Sequence, residues 1–379
     1  MGSPHHRAHV CRRRRGRGSD EYGQAGIVLR EHRLSITAKV SLSVLVLVVI
    51  ACTGTMTGPA GPEWWRVPLA LLERIPGFGQ SGLGISSGVT EREWSIIWDI
   101  RMPRVVLAGI VGATLSLGGA SYQGVFRNPL VDPYLLGAAA GGGLGATLVI
   151  TTVGSDRLEW PVDPVPLVAF MFALGTVALT YLVGASFGGL RASSTLVLAG
   201  VAMVSLTTAI QTFILQRNSD VVREVYNWIL GRLATASWGD VVLVLPYVAL
   251  STTVLLFHRR HLDVLRVGDE EAAALGIPVA RVRLTVVVAA TLGTAAVVAV
   301  SGLIGFVGLV VPHMVRLMAG STYRVVIPLA ITVGGAFLIL ADIPGRTLSS
   351  PAEVPIGVVT AFIGAPFFII LLRTRQVSR

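Results

Sequence analysis

Three residue types that are costly inside a lipid bilayer occur together in one apolar segment. Residues 302–316 read GLIGFVGLVVPHMVR, so Pro312, His313 and Arg316 close a glycine-rich apolar run. In hydrocarbon, proline leaves a backbone carbonyl without its helical partner, and a basic side chain loses its hydration. Such residues persist where other protein or a water-lined path covers them. The segment therefore predicts a transport path.

No set of residues in the sequence predicts covalent chemistry or a metal site. His313 lies far from any carboxylate or cysteine in sequence, so an interhelical hydrogen bond is a better interpretation than a metal ligand. We find neither a Ser/His/Asp set nor an HExxH pattern within an apolar run. The two cysteines, Cys11 and Cys52, are too few for a disulfide framework or a zinc site. We predict no enzymatic activity, no metal and no cofactor bound by this chain.

The chain also lacks the residues for an ATP site of its own. A P-loop needs a glycine-rich phosphate cradle and a lysine that reaches the phosphates. Lys39 is the single lysine, and it lies at the start of an apolar run. If ATP drives this protein, ATP and Mg²⁺ must therefore be bound by a separate ATPase subunit.

Composition predicts an all-α polytopic membrane protein. Mean hydropathy is +0.70 and 14% of residues are charged, whereas a soluble domain has about 25% charged residues. Apolar runs long enough to cross a bilayer, which takes about 20 residues, recur from residue 40 almost to the C-terminus. We predict ten spans, near residues 40–57, 103–125, 135–153, 164–186, 194–215, 239–257, 285–304, 306–319, 325–342 and 354–372.

The net charge of +10 is unevenly distributed. Many arginines lie in residues 1–36, including the run CRRRRGRG, and most others lie in short loops between apolar runs. A nucleic-acid-binding arm is one interpretation of that run. A disordered cytoplasmic extension is the better one, because positive residues before a first span set its orientation. We therefore predict no nucleic-acid partner and place both termini on the cytoplasmic side of the cytoplasmic membrane.

A weak internal repeat accompanies this pattern. The segments GASYQGVFRNP from Gly119 and GLIGFVGLVVP from Gly302 share their glycine-to-proline spacing. The predicted topology gives the two halves inverted orientations, as in transporters that work by alternating access. Because glycine is abundant in this chain, coincidence is an equally good explanation from the alignment alone.

Five motifs together resemble the FecCD-type permeases of ATP-binding-cassette importers. Those permeases are membrane subunits for ferric siderophores, haem and cobalamin. The resemblance runs in order from about Arg101 to Leu372 and implies a permease domain over residues 37–375. It also implies ATPase subunits on the cytoplasmic side, an extracytoplasmic substrate-binding protein and a homodimer. The motifs are RMPRVVLAGIVGATLSLGGASYQGVFRNPLVDPYLLG, STLVLAGVAM, VGDEEAAALGIP, GLIGFVGLVVPHMVRLMAG and EVPIGVVTAFIGAPFFIILL.

Within a predicted cytoplasmic loop, residues 258–284, the sequence VGDEEAAALGIP predicts a short helix. Acidic residues in its first turn suit the helix dipole, and glycine followed by proline stops it. The resemblance implies that this is the coupling helix, which sits in a groove of the ATPase. An ordinary connector helix is the alternative. The residues concerned are Gly268, Asp269, Glu270, Glu271, Ala274, Leu275, Gly276 and Pro278.

Three arginines on the predicted outer face are candidate docking residues. Arg101 and Arg104 flank Met102 and Pro103 at the entrance of the second span, and Arg346 follows the ninth. The resemblance implies that arginines there receive glutamates of the binding protein, a role that suits the bidentate guanidinium group. Snorkelling at a helix end is the alternative.

A cytoplasmic gate is the last expectation from the resemblance. Small or amide-bearing residues permit close approach of helices and can hydrogen-bond across an aperture. They also serve as ordinary helix caps, which is the alternative here. The candidate gate residues are Asn128, Leu130, Ser193 and Ser194.

These features predict an importer permease that moves an iron chelate, with a ferric siderophore as the first choice, by alternating access. Cobalamin or haem is the alternative cargo. An ion-coupled secondary transporter is a weaker alternative, because Asp240 and Asp342 fall near span ends rather than at the midplane. A membrane receptor that signals without moving cargo is a further alternative.

Overall fold

The computed structural model describes residues 35–74, 87–154, 163–188, 193–349 and 352–377. Every regular element in those ranges is helical. The predicted all-α polytopic membrane fold is therefore confirmed. The predicted arginine-rich extension, residues 1–36, lies outside the described residues except for its last two.

Ten helices follow the ten predicted spans one for one. Seven of them are long and apolar enough to cross a membrane, whereas α5, α12 and the apolar part of α14, Ile356–Leu371, are shorter. The bounds are α1 Ile36–Met56, α4 Met102–Val125, α5 Ala138–Thr152, α6 Pro164–Gly188, α7 Ser193–Arg217, α9 Trp238–Leu265, α11 Val279–Ser301, α12 Val307–Ala319, α13 Tyr323–Thr347 and α14 Ile356–Val377.

Four short helices lie between these ten. Helices α2 (Arg66–Glu73), α3 (Glu91–Ser95), α8 (Val222–Ile229) and α10 (Asp269–Ala274) occupy the connections. A single π-helical turn, Ile96–Arg101, joins α3 to α4. The connection predicted as a polar loop at 258–284 is shorter than expected, because α9 continues to Leu265 and α11 already begins at Val279.

Helix α4 lies at the centre of the bundle. It packs against α9, α11, α12 and α13, and most of its side chains are buried. Glycines allow its backbone to touch its neighbours: a Cβ on Gly112 would overlap the carbonyl of Gly334 in α13, and one on Gly119 would overlap that of Gly308 in α12. Small residues that let helix backbones approach closely are typical of membrane bundles.

The order of helix lengths repeats along the chain. Helices α4 to α7 run long, short, long, long, and α11 to α14 do the same. The residue-by-residue alignment of the sequence repeat is not reproduced, because Gly119 lies inside α4 whereas Gly302 ends α11 with φ +70°. The repeat is therefore present in the order of helix lengths and absent from the aligned glycine-to-proline segments.

The costly residues of segment 302–316 are covered by protein. Arg316 donates to Gln123 Oε1 at 2.6 Å, and the amide group of Gln123 donates to the carbonyl of Gly308 at 3.2 Å. His313 is buried, with Phe367 packed edge-on 6.0 Å from its ring centre. The segment therefore contributes close packing between α4 and α12.

The backbone contact at Gly119 gives a direct test of this packing. We expect Gly119→Ala to lower the free energy of unfolding by about 1–3 kcal/mol, because the added methyl must displace the backbone of α12. Gly175→Ala is the matched control: it also lies inside a helix, but its added Cβ has no atom of the described residues within 4 Å. Thermal unfolding in detergent micelles measures both. Equal midpoints for the two variants would contradict the close contact.

Candidate functional site

Two of the three groups of predicted site residues lie at opposite ends of α4. Arg101 and Arg104 are at its start with Arg346, and Arg127, just beyond its end, contacts the segment predicted to couple to an ATPase. The first group, Arg101, Arg104 and Arg346 together with Asp342 and Glu353, is called the arginine cluster below. The other, comprising α10 and its flanking residues 266–278, is called the coupling segment.

Arg104 is the centre of the arginine cluster. Its Nε donates to Asp342 Oδ2 at 2.9 Å and its Nη2 to Asp342 Oδ1 at 2.8 Å. Its Nη1 lies 2.9 Å from both carboxylate oxygens of Glu353. Charge-assisted hydrogen bonds of this kind are among the strongest in proteins. They join α4, α13 and the segment before α14.

Arg101 has a different environment. Its guanidinium group donates to the carbonyls of Thr55 and Met56 at 3.3 Å and also reaches the carbonyl of Ala60. Carbonyls at the end of a helix carry partial negative charge and have no partner within the helix. Arg101 therefore caps the C-terminus of α1 and fixes it against the start of α4.

Arg346 completes the cluster from α13. Its Nη2 donates to the carbonyl of Gly54 at 2.8 Å, and its Nε lies 3.4 Å from Asp342 Oδ2. Asp342 and Arg346 are four residues apart and thus share one face of α13. Within the described part of the chain, the Nε of Arg346 is buried and makes no hydrogen bond.

The arginine cluster differs from the exposed docking surface expected from the sequence. Arg101, Arg104 and Arg346 are all buried, and most of their donors are used inside the chain. The physical reason differs among them. Arg104 and Arg346 pair with internal carboxylates, whereas Arg101 is satisfied by backbone carbonyls at the end of α1. Docking of a partner's carboxylate stays a prediction. In this conformation it requires one of the internal arginine–carboxylate ion pairs to break.

The coupling segment has the helix that the sequence predicts, α10. Gly268 precedes the helix with φ +143°, and a side chain there would collide with the carboxylate of Glu271. Gly276 ends it with φ +81° while Ile277 N–H donates to the carbonyl of Ala272 at 3.1 Å. A left-handed glycine with such a bond is a common helix stop, and Pro278 follows it.

One carboxylate ties α10 to two long helices. Asp269 accepts from Arg283 Nη2 of α11 at 3.0 Å and lies 3.4 Å from Arg127 Nη2, just past the end of α4. Arg127 has φ 50°, an unfavourable backbone conformation for a residue with a side chain. Movement of α10 would therefore act directly on the ends of α4 and α11.

The rest of α10 presents a surface to the aqueous side. Ala272 is fully buried against the bundle, which anchors one face of the helix. Its other face is exposed, and Leu275 beyond its end is 70% exposed. Leu275 is therefore accessible to a partner protein. The exposed residues are Glu270, Glu271, Ala273, Ala274, Leu275 and Gly276.

The predicted gate residues divide into two groups. Asn128 Oδ1 accepts from the backbone N–H of Leu130 at 2.9 Å, which is a local turn-capping contact, and both residues are exposed. Ser193 and Ser194 begin α7, and their side chains lie outside the described residues. Helix α7 packs against residues 133–136 through Gly200, whose added Cβ would overlap the carbonyl of Leu135. The gate stays a prediction.

Four partner residues have no role that the sequence predicts. Asp342, Glu353, Arg127 and Arg283 complete the two charged clusters from positions distant in sequence. The spacing of Asp342 and Arg346 was the available signal, because oppositely charged residues four apart in an apolar helix must share a buried face. Among the described residues, no group of three His, Cys, Asp or Glu side chains could hold a metal ion.

Burial of the arginine cluster predicts a large stability effect. We expect Asp342→Asn to lower the free energy of unfolding by about 3–5 kcal/mol, because it leaves two buried guanidinium groups without their shared carboxylate. Glu91→Gln, which removes an exposed carboxylate from its pair with Arg74, should cost less than about 1 kcal/mol. SDS-induced unfolding in mixed micelles compares them. Similar losses in the free energy of unfolding for the two variants would show that burial does not increase the stabilising effect of these ion pairs.

Comparisons with known proteins agree with this architecture. The cobalamin import system permease protein BtuC of Halobacterium salinarum is 40% identical over 290 residues, which cover 76% of each chain. The hemin transport system permease protein HmuU of Yersinia pestis is 34% identical over 349 residues, covering 85% of this chain and 99% of HmuU. A solved structure described as an inward-facing conformation of a metal-chelate type ABC transporter has a TM-score of 0.74 and 29% identity, covering 89% of this chain and 99% of its own. The model of the FecCD transport family matches residues 42–374, and the chain belongs to that family of ABC transporter permeases.

Proposed function

We propose that this chain is the permease subunit of an ABC importer that carries a metal chelate across the cytoplasmic membrane by alternating access. A separate ATPase subunit binds ATP and Mg²⁺ and acts on the coupling segment. An extracytoplasmic binding protein delivers the cargo at the other end of the bundle. Two copies of the chain form the pathway between them, a step that rests on the family resemblance alone. Both termini are cytoplasmic.

The observation that carries this proposal is the way α10 is held. Its exposed tip is free to contact a partner, while Asp269 and Ala272 fix it to the bundle. A partner that pulls on α10 therefore moves α4 and α11 as well. That arrangement is suited to transmit mechanical work from an ATPase, whereas a simple connector needs no link to two helices.

The arginine cluster supports docking at the opposite end of α4. Three guanidinium groups lie there with two carboxylates, so the cluster carries an excess positive charge. A carboxylate of a binding protein suits such a site, because arginine binds carboxylates through paired hydrogen bonds. Electrostatic attraction of this kind also speeds and orients association.

We propose an iron chelate, with a ferric siderophore as first choice, as the cargo. The relatives named above carry cobalamin and hemin, and the solved structure is of the metal-chelate type. All of these are large metal complexes that a binding protein can present whole. Cobalamin and haem are the alternatives, and uptake assays with the three cargoes distinguish them.

An ion-coupled secondary transporter is less well supported. Such proteins usually place acidic groups near the bilayer midplane. In the long described helices, the acidic side chains lie near the ends: Asp240 in the first turn of α9, Asp263 in its last turn and Asp342 near the end of α13. The buried Asp132 lies outside these helices, and its carboxylate accepts a hydrogen bond from the backbone N–H of Tyr134 at 2.8 Å. A proton gradient alone should therefore drive no uptake in this protein.

The exposed tip of α10 gives the functional test. In vesicles that contain the permease, its ATPase and its binding protein, we expect Leu275→Glu to reduce ATP-dependent chelate uptake about tenfold or more, because a buried charge opposes docking. Folding should be unaffected, since Leu275 is exposed. ATP-dependent accumulation of radiolabelled chelate is the measurement.

Glu91→Gln is the control. Glu91 is exposed on α3, outside both the coupling segment and the arginine cluster, and its loss of charge should change uptake less than about twofold. Normal uptake by Leu275→Glu would argue against α10 as the coupling helix. Uptake driven by a proton gradient without ATP would instead favour the secondary transporter.

A further inference from the structure

The two carboxylates of the arginine cluster are not equivalent. The side chain of Asp342 is 2% exposed and contacts both Arg104 and Arg346. The side chain of Glu353 is 34% exposed, and its hydrogen bonds within the described part of the chain go to Nη1 of Arg104. Asp342 is thus a fixed part of the core, whereas Glu353 reaches Arg104 from the solvent side.

Glu353 can leave Arg104 without movement of its backbone. The next residue, Val354, donates its N–H to the carbonyl of Gly345 in α13 at 2.8 Å, which fixes the local main chain. Rotation of the Glu353 side chain is then sufficient to uncover the outer nitrogen of Arg104. After that rotation the Nε and Nη2 of Arg104 still bond to Asp342, so the guanidinium group keeps its orientation.

The charge balance favours a ligand with a carboxylate. Arg104 and Arg346 pair with the two carboxylates, whereas Arg101 is held by backbone carbonyls, so three positive charges lie beside two negative ones. Within the described residues, the buried Nε of Arg346 has an ion-pair contact with Asp342 at 3.4 Å but no hydrogen bond. A buried charge that is only partly compensated is energetically unfavourable. Such a site therefore readily binds a further anion, or one that replaces a carboxylate already present. The planar fork of Arg104 fits a carboxylate best.

We propose that Glu353 is an internal placeholder for a carboxylate of the docking protein. In the free permease, Glu353 occupies Arg104. On docking, a glutamate or aspartate of the partner replaces it, and Glu353 turns into solvent. This inference rests on the proposed docking function of the arginine cluster and names the residue that the partner must displace.

Exchange of one carboxylate for another explains how a buried arginine can serve a transient partner. The bond formed is equivalent to the bond broken, so docking gains little net energy from this pair and stays reversible. In the free state Arg104 never faces the cost of an uncompensated charge. A protein without a carboxylate at the matching position cannot displace Glu353, which adds selectivity.

The test uses the purified full-length permease in lipid nanodiscs and an arginine-specific reagent, phenylglyoxal, with modified residues identified by mass spectrometry. We expect Arg104 to react about tenfold faster in Glu353→Ala than in the native protein, because its outer nitrogen loses a shielding carboxylate. Glu353→Gln should lie between the two. Glu91→Gln, which removes an exposed carboxylate elsewhere, should leave the rate unchanged.

A second arm adds a carboxylate in place of the unidentified partner. Tetraglutamate should protect Arg104 in Glu353→Ala at concentrations that leave the native rate unchanged, and tetraglutamine should protect neither protein. The proposal is overturned if Arg104 reacts equally in the native protein and in Glu353→Ala, or if tetraglutamate protects both equally. It is also overturned if Glu353→Ala unfolds as readily as Asp342→Asn, because Glu353 would then be a structural brace. No arm requires transport, so failure of the import function would be recognised separately.

Discussion

Close contact between the backbone of α4 and those of its neighbours is the constraint on which the bundle depends. At Gly112 and Gly119 the carbonyls of α13 and α12 occupy the space where a side chain would be. In a bilayer, packing of this kind replaces the hydrophobic effect as the main force between helices. It makes α4 a rigid element enclosed by helices from both halves of the chain.

The two charged clusters lie at opposite ends of α4, which therefore fixes their relative positions. Arg101 lies immediately before its first residue and Arg104 in its first turn, and the strained residue just past its end, Arg127, lies 3.4 Å from Asp269 of α10. One tightly packed helix therefore connects the arginine cluster to the coupling segment. Both clusters also connect α4 to a second long helix, α13 at one end and α11 at the other. These contacts are the physical basis for proposing that movement at one end of the bundle reaches the other end.

The sequence predicted the helices well, because helix formation and helix ends depend on residues that are close together in the chain. Apolar length predicted ten helices, and Gly268, the acidic first turn and Gly276 predicted α10. The partners of Arg104 and Asp269 could not be predicted in this way, because Arg104 meets Asp342 across 238 positions of the chain. Asn128 shows the converse: its hydrogen bond with the backbone N–H of Leu130 is local and joins residues two apart in a turn.

The proposed function depends on α10 transmitting movement through Asp269 to α4 and α11. The most direct measurement is the number of chelate molecules moved per ATP hydrolysed in reconstituted vesicles, for the native protein and for Asp269→Asn. We expect the variant to keep ATP hydrolysis but to lose most transport per ATP, because its neutral side chain forms no ion pair with Arg127 or Arg283. An unchanged ratio of transport to hydrolysis would contradict it.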